Sequence, residues 1–378
     1  MKTEQIILNE LLEKLNYKYI KANTKSKRKT LLYDLFLFSH LYNESYGLPD
    51  TLVWEKDTNL FMLAEDTNKI LINSIYENQK LYNDMALNSL KLYQESNFIF
   101  YNNYGKQYHK LNEKNFQEII FSFLNSLNPQ VLKQFKEKIN NNEIFKSKLL
   151  TNLGATYPIS SLNKNIILYS SEIKNTIYSA CTLIHELGHN YEINNLKKSG
   201  INYPYPKILK TPFYEVSAYF FEYSFIEYLI ENKIYSNDTP LLISDYYDEL
   251  LINIFFIAIL NKLEKNDVNK NGYIELKTEE IINYANNLKN ELNIFDINTN
   301  YNVKINYTEP YVYGIGRLFG IYLYHNYKEN PQEFFKNFNL SLLEYFNTNN
   351  LNSFNKIGIT EEKLTNGDIL KKTLQKNI

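Results

Sequence analysis

The chain has 378 residues, of which 44% are hydrophobic and 22% charged, a composition typical of globular proteins. Its 41 Lys and Arg residues nearly balance its 42 Asp and Glu residues, so overall charge indicates neither a nucleic acid nor an anionic membrane as a partner. The single cysteine, Cys181, excludes an internal disulfide and a four-cysteine zinc site.

The first residues alternate charged and apolar side chains, which is not the pattern of a secretory signal. The longest apolar stretches, such as IFFIAIL at 254–260, are far shorter than the roughly 20 residues that a membrane-spanning helix needs. These features predict a cytoplasmic protein without a membrane partner. Residues 1 to about 145 carry apolar positions at three- and four-residue spacing, which predicts successive amphipathic helices. The basic run Lys25–Thr30 is predicted to be a solvated helix end or loop.

The pattern changes at Gly154, where the segments GATYPIS and NIILYSS are short, turn-bounded and β-branched. They predict a small sheet. The 11 glycines and 9 prolines are few enough to favour long helices elsewhere, so the predicted fold class is mainly α. Further helices are predicted at about residues 174–197, 213–232, 240–265, 277–292 and 310–328, and through the last fifty residues.

The predicted helix at 174–197 contains the motif His185-Glu186-Leu187-Gly188-His189. At 3.6 residues per turn, His185 and His189 project from one helix face, so both imidazoles can bind one metal ion. Glu186 lies beside them and can act as a general base toward an attacking water. With five histidines in the chain, chance produces a pair at this spacing about 0.05 times, and less often with the adjacent glutamate.

A catalytic zinc usually takes three protein ligands, so a third is expected downstream. Glu215 is the candidate, because it lies 26 residues beyond His189, near the start of the next predicted helix. Glu222, two turns further along that helix, is predicted to accept a hydrogen bond from a zinc-bound imidazole.

The stretch from Gly154 to about Glu222 resembles the catalytic core of the oligoendopeptidase F and thimet oligopeptidase family of zinc peptidases. In that family a Gly-led strand segment precedes the zinc helix, and a glutamate on the next helix is the third ligand. Another glutamate follows it after seven positions, an interval that Glu215 and Glu222 keep. The resemblance implies a helical zinc-peptidase fold with a substrate cleft, one Zn²⁺ per chain and oligopeptide substrates.

A second stretch, EPYVYGIGRLFG from Glu309, resembles the late tyrosine-rich motif of the same family. By that resemblance Tyr313 is the candidate oxyanion donor, and Tyr311 is the second candidate. A phenol O–H directed at the reacting oxygen stabilises charge that develops only in the transition state.

The sequence departs from the family pattern in three respects. Glu192 occupies the place of an auxiliary histidine in the zinc helix. Upstream of the tyrosine stretch, Asn306, Tyr307 and Thr308 stand where the family carries a substrate-binding histidine, and His325 is too far downstream to replace it. The chain is also shorter than family members, in the N-terminal half that closes the cleft. We therefore expect region 1–145 to cover the cleft and region 146–378 to form the catalytic part.

The remaining candidates are interpreted as structural. His40, His109 and His325 lie in helical or tyrosine-rich segments, and Cys181 is predicted to be a small packed residue one turn before His185. The segment from Asp267 to Glu275 fits the first nine positions of an EF-hand loop, but position twelve is Thr278 and the acidic residue is displaced to Glu279. It is predicted to be a turn between helices.

Together these features predict a zinc-dependent endopeptidase that acts on short, unstructured peptides. His185, His189 and Glu215 are the predicted ligands, and Glu186 is the predicted general base. One alternative is a processing or toxin-like metalloprotease with a single dedicated substrate, which would explain the short N-terminal half. Another is a non-catalytic, zinc-containing peptide-binding protein, against which the intact Glu186 argues.

Overall fold

The computed structural model describes residues 4–24, 71–95, 108–147, 154–159, 164–170, 175–199, 212–261, 273–277, 302–348 and 350–376, with single positions between them. Contacts between Cα atoms divide the chain into two compact units. The first consists of Met1–Ala64, Gly105–Ile208 and Ser224–Thr239, and the second of Glu65–Tyr104, Leu209–Tyr223 and Pro240–Ile378. The predicted functional boundary near residue 145 and the substrate cleft stay predictions.

The helices and strands follow one another along the chain as α1 Glu4–Lys21, α2 Gln79–Glu95, α3 Glu113–Leu127, α4 Pro129–Asn140, β1 Ile144–Ser147, β2 Gly154–Ile159, β3 Lys164–Ser170, α5 Ile177–Lys198, α6 Val216–Glu231, α7 Thr239–Leu260, β4 Tyr273–Lys277, β5 Asn302–Asn306, α8 Glu309–Glu329, α9 Pro331–Thr348, α10 Glu361–Asn366 and α11 Asp368–Lys376. Within the described ranges, 3₁₀ helices lie at Pro212–Glu215 and Leu351–Ile357.

The first unit contains a three-stranded sheet in the order β1-β3-β2. The central strand β3 pairs parallel with β1 and antiparallel with β2. Ile166, Ile167 and Leu168 of β3 are all buried, and because successive strand side chains point to opposite faces, both faces of this strand are covered. Helix α1 packs leucines into a core shared with β2 and β3, and α5 also packs against both strands. The sheet thereby supports the helix that carries the His-Glu motif.

The second unit is built around helix α8, which is buried along most of its length. An aromatic cluster joins this helix to its neighbours: the ring of Phe213 lies 4.7 Å from Phe319, 4.6 Å from Tyr345 and 5.5 Å from Phe354, centroid to centroid. Buried aromatic pairs at these separations contribute about 0.5–1.5 kcal/mol each beyond the area they bury. The same unit contains the two-stranded antiparallel sheet of β4 and β5.

The structure confirms a mainly helical fold with a small sheet beside the motif helix. Two predicted boundaries are shifted slightly, and one predicted turn was wrong. Strand β1 begins at Ile144, at the end of the region predicted to be helical up to about residue 145. Strand β4 contains Lys277, the first residue of the helix predicted at about 277–292. The first three residues of β4, Tyr273–Glu275, belong to the EF-hand-like segment that was predicted to be a turn, and they pair with β5.

Some predictions concern residues outside the described part of the chain. These are His40, most of the basic run Lys25–Thr30, the EF-hand-like positions 267–272, and Thr278 with Glu279. Among the described helices, none combines the length and the hydrophobicity that crossing a bilayer requires.

Candidate metal centre

The motif helix α5 begins at a capping box. Thr176 accepts a hydrogen bond from the backbone N–H of Ser179, at 3.2 Å, and the hydroxyl of Ser179 accepts one from the backbone N–H of Thr176, at 2.9 Å. Such a box satisfies two backbone donors that the first helical turn leaves without a partner. The start of the helix is therefore fixed two turns before His185.

A buried polar network fastens the C-terminal half of α5 to strand β3. The side-chain amide of Asn165 donates to Asn190 Oδ1 at 3.1 Å and to Asn194 Oδ1 at 3.0 Å, and its Oδ1 accepts from Lys197 Nζ at 2.9 Å. The backbone carbonyl of Asn165 accepts from Lys138 Nζ at 2.8 Å. Because Asn190, Asn194 and Lys197 follow His189 on one helix face, the network sets the orientation of that half of the helix.

The three candidate ligands lie close together in the structure. His185 and His189 are half-buried, with ring centroids 5.1 Å apart, and Glu215 is buried. One potential ligand atom from each of the three lies within 4.8 Å of the others. Among the described residues, no other group of His, Cys, Asp or Glu side chains meets this condition. Two imidazoles and a carboxylate are a donor set that suits catalytic zinc, so the residues present fit the metal.

Glu186 is held by the strand next to its helix. Its side chain is buried, and Oε2 lies 2.7 Å from the hydroxyl of Thr156 in β2, which donates to it. The same hydroxyl lies 2.9 Å from the backbone carbonyl of Glu186, but it carries one proton, and the shorter contact is to the carboxylate. A Cβ at Gly154, in the same strand, would lie 2.9 Å from Glu186 Cγ. The absence of a side chain at Gly154 therefore leaves space for the glutamate.

Glu215 ends the 3₁₀ helix Pro212–Glu215, directly before α6. Phe213 anchors this turn, because its ring is fully buried among the aromatic rings described above. On the other side, α8 approaches closely at Gly316, where a Cβ would lie 2.9 Å from Glu215 Cβ and 2.7 Å from Tyr219 Cδ2. Packing from both sides determines the position of the Glu215 carboxylate.

The two candidate tyrosines lie on different faces of α8. Tyr313 is half-buried and precedes Gly316 by three residues, so it lies on the face that approaches the Glu215 turn. Tyr311 is fully buried, with its ring 5.9 Å from Tyr82 and 5.4 Å from Tyr307, and burial raises its pKa. The two tyrosines therefore differ in exposure, and their roles as hydrogen-bond donors stay predictions.

The other predicted residues lie in α6, in the motif helix α5 and in more distant parts of the chain. Glu222 is half-buried, one helical turn beyond Tyr219, and its charge is close enough to contribute to the raised pKa of the buried Tyr219 phenol. Cys181 and Glu192 are both buried in α5. Elsewhere, His109 lies 3.6 Å from Asp238 Oδ1, and His325 Nε2 lies 2.7 Å from the hydroxyl of Thr373.

Sequence reasoning missed Thr156 and gave Gly154 no role beyond opening a strand. The residue types carry no signal for either role, because both depend on how β2 packs against α5.

Comparison with known proteins shows the fold. No protein-family model matches the sequence, and no curated protein matches it. A solved structure designated a peptidase from Chlamydophila abortus matches with a TM-score of 0.52 and 13% identity, over 97% of this chain and 63% of the other. One designated oligoendopeptidase F matches with a TM-score of 0.53 and 10% identity, over 99% of this chain and 66% of the other. PZ peptidase A, in complex with an inhibitor, matches with a TM-score of 0.51 and 13% identity, over 98% of this chain and 67% of the other.

The chain thus has the fold of oligoendopeptidase-type peptidases, as its motifs predicted. It spans less than two thirds of the length of the first two of these structures.

Proposed function

We propose that this protein is a zinc-dependent endopeptidase that hydrolyses short, unstructured peptides, as a member of the oligoendopeptidase F and thimet oligopeptidase family. The observation that carries the proposal is the convergence of His185, His189 and Glu215, with the buried Glu186 beside the first histidine. The fold, which these peptidases share, supports it. His185, His189 and Glu215 would hold one Zn²⁺.

When bound, zinc supplies Lewis acidity, which polarises a carbonyl group and makes a water a stronger nucleophile near neutral pH. Glu186 then acts as the general base: a carboxylate oxygen takes a proton from the attacking water and passes it to the nitrogen of the leaving amine. The hydrogen bond from Thr156 to Oε2 holds the carboxylate in one orientation for this transfer. Tyr313 donates a hydrogen bond to the oxygen that becomes negative.

The edge of the sheet supports an extended peptide as the substrate. Among the described residues, strand β2 is the last strand of the order β1-β3-β2. A strand at the edge of a sheet can pair through its backbone N–H and C=O groups with a peptide in β-conformation. Because β2 also contains Thr156, a peptide on that edge would lie beside the residue that holds the general base.

The test pairs zinc content with cleavage of a quenched fluorescent peptide library. We expect one zinc per chain and cleavage by the unmodified protein. Glu186→Gln should abolish cleavage with zinc retained, since amide and carboxylate have the same shape but the amide is not a base. Glu215→Ala should weaken zinc binding, because it removes a ligand. His109→Ala, a histidine substitution at an exposed position, is the control and should change neither property.

Each other result has a definite meaning. An absence of zinc would refute the proposal. Zinc binding without cleavage of the library would favour a single dedicated substrate, or the non-catalytic peptide-binding protein. A Glu186→Gln protein that still cleaves peptides would show that another group is the base.

A further inference from the structure

Arg317 is a buried charge that the proposed mechanism does not use. Its side chain is 8% exposed and forms an ion pair through Nη2 with Glu249 Oε2. Its Nε and Nη1 atoms are buried and make no hydrogen bond with the described residues. Its partner Glu249 is 56% exposed, and an ion pair that solvent screens on one side contributes little to stability, so the ion pair alone gives little reason for an arginine here.

The guanidinium of Arg317 connects α8 to the helices around it. It lies 4.3 Å from the centre of the Tyr219 ring and 5.9 Å from that of Tyr246. The hydroxyl of Tyr246 in turn donates to the backbone carbonyl of Arg317 at 2.8 Å. The planar guanidinium can stack on a ring and pair with a carboxylate at once, which a lysine ammonium cannot do equally well. Arg317 thus links α8 to both α6 and α7.

Arg317, which contacts the Tyr219 ring, lies on the same face of α8 as Tyr313 of the candidate site. Arg317 follows Tyr313 by four residues and Gly316 by one, so all three lie on the helix face that approaches Glu215 and Tyr219. We propose that Arg317 is a positioning residue, which holds α8 in register on Tyr219 and thereby sets where the Tyr313 phenol lies relative to the Glu215 turn. This inference rests on the proposed function.

The central experiment is a double-mutant cycle between Arg317→Met and Tyr313→Phe, with kcat and KM measured on one fluorogenic peptide. If Arg317 acts through Tyr313, Arg317→Met should lower kcat roughly 10- to 100-fold, the range expected when a catalytic group moves by about 1 Å. KM and zinc content should not change. In the Tyr313→Phe background the same substitution should lower kcat less than about twofold, because the group it positions is already gone.

Two further variants separate positioning from general stability. Arg317→Lys keeps the charge but loses the planar group, so it should restore only part of kcat. Lys328→Met removes another cation of α8 that faces a tyrosine ring, 6.0 Å from Tyr324, and should leave kcat unchanged. Hydrogen exchange of the metal-free protein provides a readout independent of activity: Arg317→Met should speed exchange of the amides at 314–320 by about tenfold, and Lys328→Met should not.

Fully additive losses in the cycle would overturn the positioning role, as would unchanged exchange in Arg317→Met. If Tyr313→Phe retains full kcat, the positioning role also fails, while the zinc peptidase stands. If the protein binds no zinc and cleaves no peptide, the proposed function itself fails, and the inference about Arg317 falls with it.

Discussion

The hydrogen bond between Thr156 and Glu186 allows a sharp test of how the proposed general base is held. Thr156→Val replaces the hydroxyl by a methyl group of nearly the same size, so it removes the 2.7 Å bond to Oε2 without opening a cavity. A hydrogen bond to a charged group is worth about 1.5–3 kcal/mol. Because Glu186 is 6% exposed, water cannot readily replace the lost donor.

If the full energy of this hydrogen bond serves to orient the Glu186 carboxylate, its loss should lower kcat by about 10- to 150-fold, because about 1.36 kcal/mol of activation free energy corresponds to a tenfold change in rate. The assay is steady-state cleavage of a fluorogenic peptide, with zinc content measured on the same samples. Thr156→Ser is the matched control, since it keeps the hydroxyl, and it should retain most of kcat. KM should change little in either variant, because the bond contacts the base and not the substrate.

Two results would refute this reasoning. If Thr156→Val and Thr156→Ser have the same kcat, the hydroxyl does not orient Glu186. If Thr156→Val loses zinc along with activity, the residue supports the metal centre as a whole.

Three further substitutions test the packing and electrostatics around the site. Gly320→Ala places a Cβ 2.7 Å from the backbone carbonyl oxygen of Tyr219, so it should destabilise the protein by about 1–3 kcal/mol in urea unfolding; an unchanged midpoint would contradict this close approach. Phe213→Ala should cost about 3–5 kcal/mol and also weaken zinc binding, because the ring anchors the turn that ends at Glu215; lost stability with unaltered zinc affinity would contradict that link. Burial lowers the pKa of Lys197 from its ordinary value of 10.5 to about 8. Between these two pH values the unfolded chain still holds the proton that the folded protein has released. The free energy of unfolding should therefore rise with pH in this window. Denaturation across pH 7–11 should show the stability of wild type rising relative to Lys197→Met in that window, and a constant difference would refute the shift.

The segments that the sequence predicted well are those with a strong local signal. The spacing in DMALNSLKLYQ and NFQEIIFSFLNSL corresponds to helices Gln79–Glu95 and Glu113–Leu127, and GATYPIS corresponds to strand Gly154–Ile159. The missed strands β4 and β5 also had a signal, since YIELK and NVKIN alternate apolar and polar residues. The preceding Asn/Gly-rich residues led to a different interpretation, and only the pairing of these distant segments identifies them as a sheet.

The sequence alone determined the half of the candidate centre that lies on one helix. His185, Glu186 and His189 lie within five consecutive positions, and helical geometry alone brings the two imidazoles to one face. Glu215 could be proposed from its place after the motif, but its approach to both histidines depends on packing over a separation of 26 residues.

The resemblance ranked Tyr313 before Tyr311, and only the tertiary structure shows that Tyr311 is fully buried while Tyr313 is half-buried, because burial is a property of the packed molecule and not of the spacing. The tertiary structure also places Thr156 against Glu186 and Arg317 against Tyr219. Periodicity along the chain specifies which residues share a face of one element. Contacts between elements follow from how side chains fill the space between them, which no local pattern encodes.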